Sequence, residues 1–294
     1  MQCVGSRSYL EPTIGWGTMS FGRKLRGIPQ FIYGLSTITY ERATAATCAA
    51  AVDVKPDSLT YKIDSTKGIK KLGYDWMILP ELEDVHIQCG EVKMEVDALE
   101  CTKNVEFEIA FAAGTTPHVI CWIIDFDTAQ APAGPAAAIV DSGWIDIKTG
   151  VVDGSIHHTS FDVKVTDSQG KFDGASSEKR KLDTRLVTIG WLAHDKLADQ
   201  NEASFNSGRI EQSVDLKGQP SAIAKDYKPK YAGKPTKHFT ALSAIKCDMA
   251  CVTGDNTELF RTECRVDTAT AEKYKIDGHA EPGMTLSAVW VSSL

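Results

Sequence analysis

The strongest constraint on this chain is an apolar alternation of period two that recurs along most of its length. Val105, Phe107, Ile109 and Phe111 alternate with Glu106, Glu108 and Ala110, and Val92, Met94 and Val96 alternate with Lys93, Glu95 and Asp97. Successive side chains of a strand point to opposite faces, so this pattern predicts strands with one buried face. Further runs rich in Thr, Val, Ile and Tyr cover 31–40, 59–63, 119–126, 161–165, 186–192, 210–216 and 286–291, a composition suited to a pleated, half-buried surface. Turn chemistry separates them, as at Lys55-Pro56-Asp57, Thr149-Gly150, Asp153-Gly154 and Asp277-Gly278. Short strands spaced by such turns predict an all-β chain, an antiparallel β-sandwich. Helix candidates are few. Ala43 to Ala51 suits either helix or strand, Asp75 to Asp84 suits a single turn, and 194–205 reads as a polar connection or short helix.

Composition shifts divide the chain. Residues 1–27, rich in Gly, Ser and Arg, read as a short basic N-terminal arm, and 28–224 as the β-sandwich domain. Residues 225–238 carry Lys225, Lys228, Lys230, Lys234 and Lys237 with Pro229, Gly233 and Pro235, and read as an extended linker with little burial. Strand patterning resumes over 239–294, either as a small added β unit or as the last strands of the same sandwich.

Charge narrows the function classes. A net charge of −7 argues against a surface that grips nucleic acid everywhere, because phosphate neutralisation needs a cationic footprint. The cations that do cluster are Arg7, Arg23, Lys24 and Arg26, opposed only by Glu11; they read as a solvated loop or as a local nucleic-acid contact. The longest apolar stretch, Val119 to Ile124, has strand length and is far short of the ~18 residues of a membrane-spanning helix. The opening residues lack an apolar leader core, so neither membrane partner nor secretion is expected. The eight cysteines form no C-x-x-C pair and read as reduced, largely buried thiols.

The residues offer little chemistry. Gly15-Trp16-Gly17 has neither a preceding apolar strand nor a following helix, so it does not read as a phosphate loop. His157 and His158 are adjacent and would point to opposite faces of a strand. Cys247, Cys251 and Cys264 with His279 match no compact zinc spacing. Asp125 and Asp127 close the most apolar strand and, two apart, project to one side, where two carboxylates repel unless a cation lies between them. Oxygen ligands at that density suit calcium, and a solvated strand end is the plainer reading. Trp122, Trp144, Trp191 and Trp290 read as core. No enzyme is expected, and no cofactor beyond that calcium.

The order of features resembles the jelly-roll shell domain of small icosahedral positive-strand RNA viruses, the tombusvirus-, sobemovirus- and nodavirus-like capsids. The resemblance rests on Tyr74-Asp75-Trp76-Met77-Ile78-Leu79-Pro80-Glu81-Leu82 leading into Val85-His86-Ile87 and Val92 to Val96. It continues through Cys121 to Asp127 running on to Pro132, and through Gly208 to Leu216 reaching Gln219-Pro220. It implies a jelly roll and a virion structural protein, made in the host cytoplasm, that self-assembles from many copies into a capsid shell around a nucleic-acid genome. It further implies calcium between subunits at Asp125 and Asp127, and an arm whose Arg23, Lys24 and Arg26 face the genome. Two other readings stay open: a phage tail-tube subunit, whose acidic lumen would let DNA slide, and a non-viral β-sandwich binding module or hydrolase using His157, His158, His194 and Asp195.

Overall fold

The structure, a computed structural model, describes residues 4–10, 14–22, 24–41, 47–65, 69–79, 86–96, 100–128, 145, 147–167, 184–195, 205–213, 221–227, 230–245, 259–270, 273–280 and 285–294. These hold eighteen strands and no helix. In chain order they are β1 (Val4–Leu10), β2 (Ile14–Ser20), β3 (Phe31–Glu41), β4 (Thr47–Val54), β5 (Ser58–Ser65) and β6 (Ile69–Ile78). Then come β7 (Ile87–Glu95), β8 (Glu100–Glu106), β9 (His118–Thr128), β10 (Ile147–Val151), β11 (Ser160–Asp167) and β12 (Thr184–His194). The last six are β13 (Phe205–Ser213), β14 (Ser221–Asp226), β15 (Lys237–Ile245), β16 (Leu259–Ala269), β17 (Lys273–Ala280) and β18 (Thr285–Ser293).

They form three antiparallel six-stranded sheets. The first has the order β1-β6-β3-β16-β17-β14, the second β2-β5-β4-β9-β12-β7, and the third β13-β18-β15-β10-β11-β8. β3 lies against β9, joining the first sheet to the second, while β15 approaches β3, β16 and β9, so that the three sheets share one core. The expected all-β class with antiparallel sheets, a β-sandwich architecture, is what the chain adopts. No described helix is long and apolar enough to cross a membrane.

Glycines opposite aromatics shape this core. Across the ladders Gly190 faces Trp122, Gly90 faces Trp191, Gly208 faces Trp290 and Gly17 faces Tyr61. A Cβ at Gly90 or Gly208 would stand 2.8 Å from the facing indole, so each ring lies flat on bare backbone, the aromatic rescue that lets glycine persist in a strand. Trp122 is enclosed furthest: a Cβ at Gly34 or at Gly190 would overlap its ring. Its Nε1 donates to the Tyr33 carbonyl at 2.7 Å, and Phe239 meets it edge-on at 5.2 Å. Asp75 ties the first sheet to the third, accepting the Thr240 hydroxyl at 2.7 Å and the Ser36 hydroxyl at 3.2 Å.

Several local expectations need correction. The alternation Val105 to Phe111 does not continue as a strand: β8 ends at Glu106, and Ile109 is 62% exposed. The Gln88 side chain takes both backbone groups of Ile109, at 3.1 Å and 2.5 Å. Phe107 and Phe111 then pack edge-to-face at 4.9 Å in a loop. Thr149-Gly150 and Asp277-Gly278 are strand interiors, in β10 and β17. Asp153-Gly154 is a turn, with Gly154 at φ +77°. Residues 225–238 are not bare linker: Tyr227 and Tyr231 are buried, meet edge-to-face at 4.7 Å, and donate to the Ser292 hydroxyl (3.3 Å) and carbonyl (2.7 Å). The stretch read as an arm supplies β1 and β2, each paired over seven residues with β6 and β5. In the last quarter β15 pairs with β10 and β16 with β3, so these strands complete sheets begun earlier in the chain.

Candidate functional site

Asp125 and Asp127 lie at the far end of β9, beside an irregularity in its pairing with β12. Thr188 faces Asp125 while Ile189 faces Ile123, which leaves Ile124 as an extra residue on β9. Such a bulge bends a strand and re-aims the side chains beside it. Beyond it, Asp125 and Asp127 face Thr188 and Leu186, so the two carboxylates share a side of the ladder as expected. Their surroundings differ. Asp127 accepts the Thr47 hydroxyl at 2.5 Å. Asp125 accepts a long contact from the Ala50 amide, 3.5 Å, and faces Thr188 across the ladder.

Asp125 belongs to a cluster that the sequence did not announce. Desolvation raises its carboxyl above the usual range, offset in part by Thr188, the Ala50 amide and Lys93. Glu91 on β7 is likewise raised, first by desolvation and then by Asp125, against the hydroxyl of Tyr33 and the charge of Lys93. Tyr33 and Tyr74 are pushed up by burial, with Asp125 adding to both. Two like charges and one ammonium thus meet at the seam of the first and second sheets. Among the described residues no group of three or more His, Cys, Asp and Glu side chains converges as a metal cage; calcium at Asp125 and Asp127 would need ligands from a second copy.

The cationic residues are spread. Arg7 falls on β1 and Lys24 and Arg26 lie exposed in the loop between β2 and β3; the side chain of Arg7 and all of Arg23 fall outside the described residues. Of the cysteines weighed for zinc, Cys247 and Cys251 also fall outside them, and Cys264 is buried and in no disulfide. Cys48, Cys89, Cys101 and Cys121 are in no disulfide either. Burial pushes Cys48 up to about 12 and Cys89 to about 11, which makes both poor nucleophiles.

The four residues of the hydrolase reading do not form one site. His157 is exposed on the loop after Gly154, while His194 is buried at the end of β12. His194 Nδ1 bonds the Asp195 carbonyl at 2.7 Å and its Nε2 the Ser207 hydroxyl at 2.9 Å. The Asp195 carboxylate instead accepts the His86 amide at 3.1 Å. No sequence signal marked Ser207, which lies on a different strand from the histidine. Burial, with His118 beside it, lowers His194 to about 4. A base that weak takes a serine proton poorly, and both side chains are closed off from solvent. The pair satisfies buried polar groups.

At the other end of the second sheet, β2 exposes Trp16 at 78%, the most exposed large apolar side chain described. Its neighbours Gly15 and Gly17 point inward, and Tyr61 lies over Gly17. Comparison with known families, with curated proteins and with solved structures found no match.

Proposed function

We propose that this chain is a structural subunit that assembles with copies of itself, in a virion shell of jelly-roll subunits. The observation that supports this reading is the set of open edges. Each of three six-stranded sheets ends in strands paired on one side among the described residues: β1 and β14, β2 and β7, β13 and β8. An unpaired edge is a template for another chain, and symmetry multiplies each such contact over an assembly. Lys24 and Arg26, both exposed, would meet nucleic acid with salt-dependent affinity. Asp125 and Asp127 would take calcium where a second copy completes the ligand set.

The test is electron microscopy and static light scattering of the purified chain across ionic strength and calcium concentration. Regular particles support the reading, and calcium-dependent assembly that Asp125→Asn with Asp127→Asn abolishes supports the metal. Tubes would favour the tail-tube reading, and a monomer under every condition would end the assembly reading.

A further inference from the structure

Ile28 and Ile109, two of the four large apolar side chains exposed among the described residues, share one end of the molecule. The Gln30 side-chain amide, two residues after Ile28, donates to the Ile87 carbonyl at 3.0 Å. The next residue, Gln88, holds both backbone groups of Ile109. Both isoleucines therefore stand beside the first two residues of β7, and both segments are anchored. Phe21 is buried and Leu25 packs on the core, their amides donating to the Asp57 and Pro56 carbonyls at 2.8 Å and 2.7 Å. Phe107 and Phe111 are buried, their amides donating to the Thr159 and His158 carbonyls at 2.9 Å and 2.8 Å.

Charge divides this end. Lys24 and Arg26 are exposed on the Ile28 side, and Glu106 and Glu108 on the Ile109 side. Among the described residues none of these four makes a salt bridge within the chain. Where β8 meets β11, an open cleft of about 290 Å³ adjoins Ile109, lined by Glu106, Phe107, Ala110, Thr159 and Ser160. A carboxylate beside hydroxyl-bearing residues suits a guanidinium or ammonium group.

We infer that this end is a two-fold contact between copies of the chain, an inference that rests on the assembly reading and names one of its contacts. Arg26 of each copy enters the Glu106 cleft of the other, and Ile28 of each packs on Ile109 of the other. A two-fold operator lays a surface on itself, so that where one residue meets a second, the second meets the first in return. A patch with cations on one side and carboxylates on the other meets that condition, because a half-turn sets each sign on its opposite. The isoleucines supply an apolar centre and the four charges a polar rim, the usual anatomy of an interface. Segments already held by core residues and backbone hydrogen bonds lose little freedom on docking. The contact takes Arg26 for the neighbouring subunit and away from nucleic acid, whose phosphates the adjacent carboxylates would repel.

The test is sedimentation velocity of the full chain after nuclease treatment, with thermal melts to confirm that each variant is folded. Arg26→Glu and Glu106→Arg should each raise the dissociation constant at least about a hundredfold, because each sets like charges face to face. Mixed one to one, the two variants should associate as tightly as wild type, since the reversed charges then meet their opposites in both directions. Ile28→Asp should weaken association as strongly, and it decides alone if a charge-reversed variant fails to fold. Trp16→Ala, which removes an exposed ring elsewhere, should change nothing. If wild type associates and the variants match it, or the mixture stays apart, the contact is wrong and the assembly reading stands. Weakening by Arg26→Glu while Glu106→Arg leaves association unchanged or tighter would assign Arg26 to nucleic acid and overturn the contact. If wild type remains monomeric, both readings fall.

Discussion

Trp122 and Trp16 are both flanked by glycine, and they stand at opposite extremes of burial, 1% against 78% exposed. Trp122 lies between Gly34 of β3 and Gly190 of β12, with a hydrogen bond to Tyr33 and an edge contact to Phe239. Its glycines come from other strands, so they clear space where the ring goes. Trp16 is flanked by its own neighbours Gly15 and Gly17, which lie on the other face of β2, where Tyr61 covers Gly17. Glycine opposite a tryptophan across a ladder makes room for the ring, whereas glycine beside it in sequence decides nothing by itself: Trp191, next to Gly190, is buried against the facing Gly90, and Trp16, next to Gly15 and Gly17, is exposed.

That contrast can be broken at its strong end first. Trp122→Ala should cost about 3–5 kcal/mol, the range for deleting a buried large aromatic, read as a lower denaturant midpoint with little change in slope; a loss under 1 kcal/mol would mean the enclosure is not what holds the sheets together. Acid should remove a comparable amount through the neighbouring β9–β12 end. His194 is held to about 4 in the folded chain against ~6.5 unfolded, so between these values the unfolded chain binds more protons. Its stabilisation is complete above pH ~6.5 and declines by about 3 kcal/mol as pH falls to ~4. Asp125 and Glu91, raised in the folded chain, act in the opposite sense and are relieved by acid. His194→Gln should flatten the fall between pH 6.5 and 4; an unchanged profile would assign the acid sensitivity elsewhere.

Gly190→Ala sharpens the comparison by adding one methyl where the ring lies, and overpacking of this kind costs about 1–3 kcal/mol. An alanine tolerated there without loss would show that Trp122 can shift, and the enclosure would be looser than the contacts imply. The smallest effect on stability belongs to Trp16→Ala, within about 0.5 kcal/mol as for surface sites generally. A large destabilisation would mean that the exposed indole packs within its own subunit.

How much could be read beforehand depended on whether one face of a strand meets water. β7, with Val92 and Met94 inward and Glu91, Lys93 and Glu95 outward, was plain. β6 was not, because Tyr74, Trp76, Met77 and Ile78 are buried on both faces and the alternation vanishes. Val105 to Phe111 misled for the converse reason: two phenylalanines four residues apart can also pack edge-to-face in a loop once Gln88 holds the backbone between them. Asp277-Gly278 carries turn residues but sits inside a ladder, where pairing of β17 with β14 and β16 outweighs local preference. In the candidate site, Asp125 and Asp127 were visible as a pair. Glu91, Tyr33 and Ser207 were not, since each reaches its partner across strands far apart in the chain.

Alternation and turn chemistry by themselves determined that this polypeptide forms antiparallel strands with apolar faces, because side-chain direction along a strand is a local property of the backbone. Which strands became neighbours, which glycines fell beneath which rings, and that β2 turned its tryptophan outward were decided only in three dimensions. Pairing between distant segments is a contest among long-range contacts, and no window along the chain contains both partners.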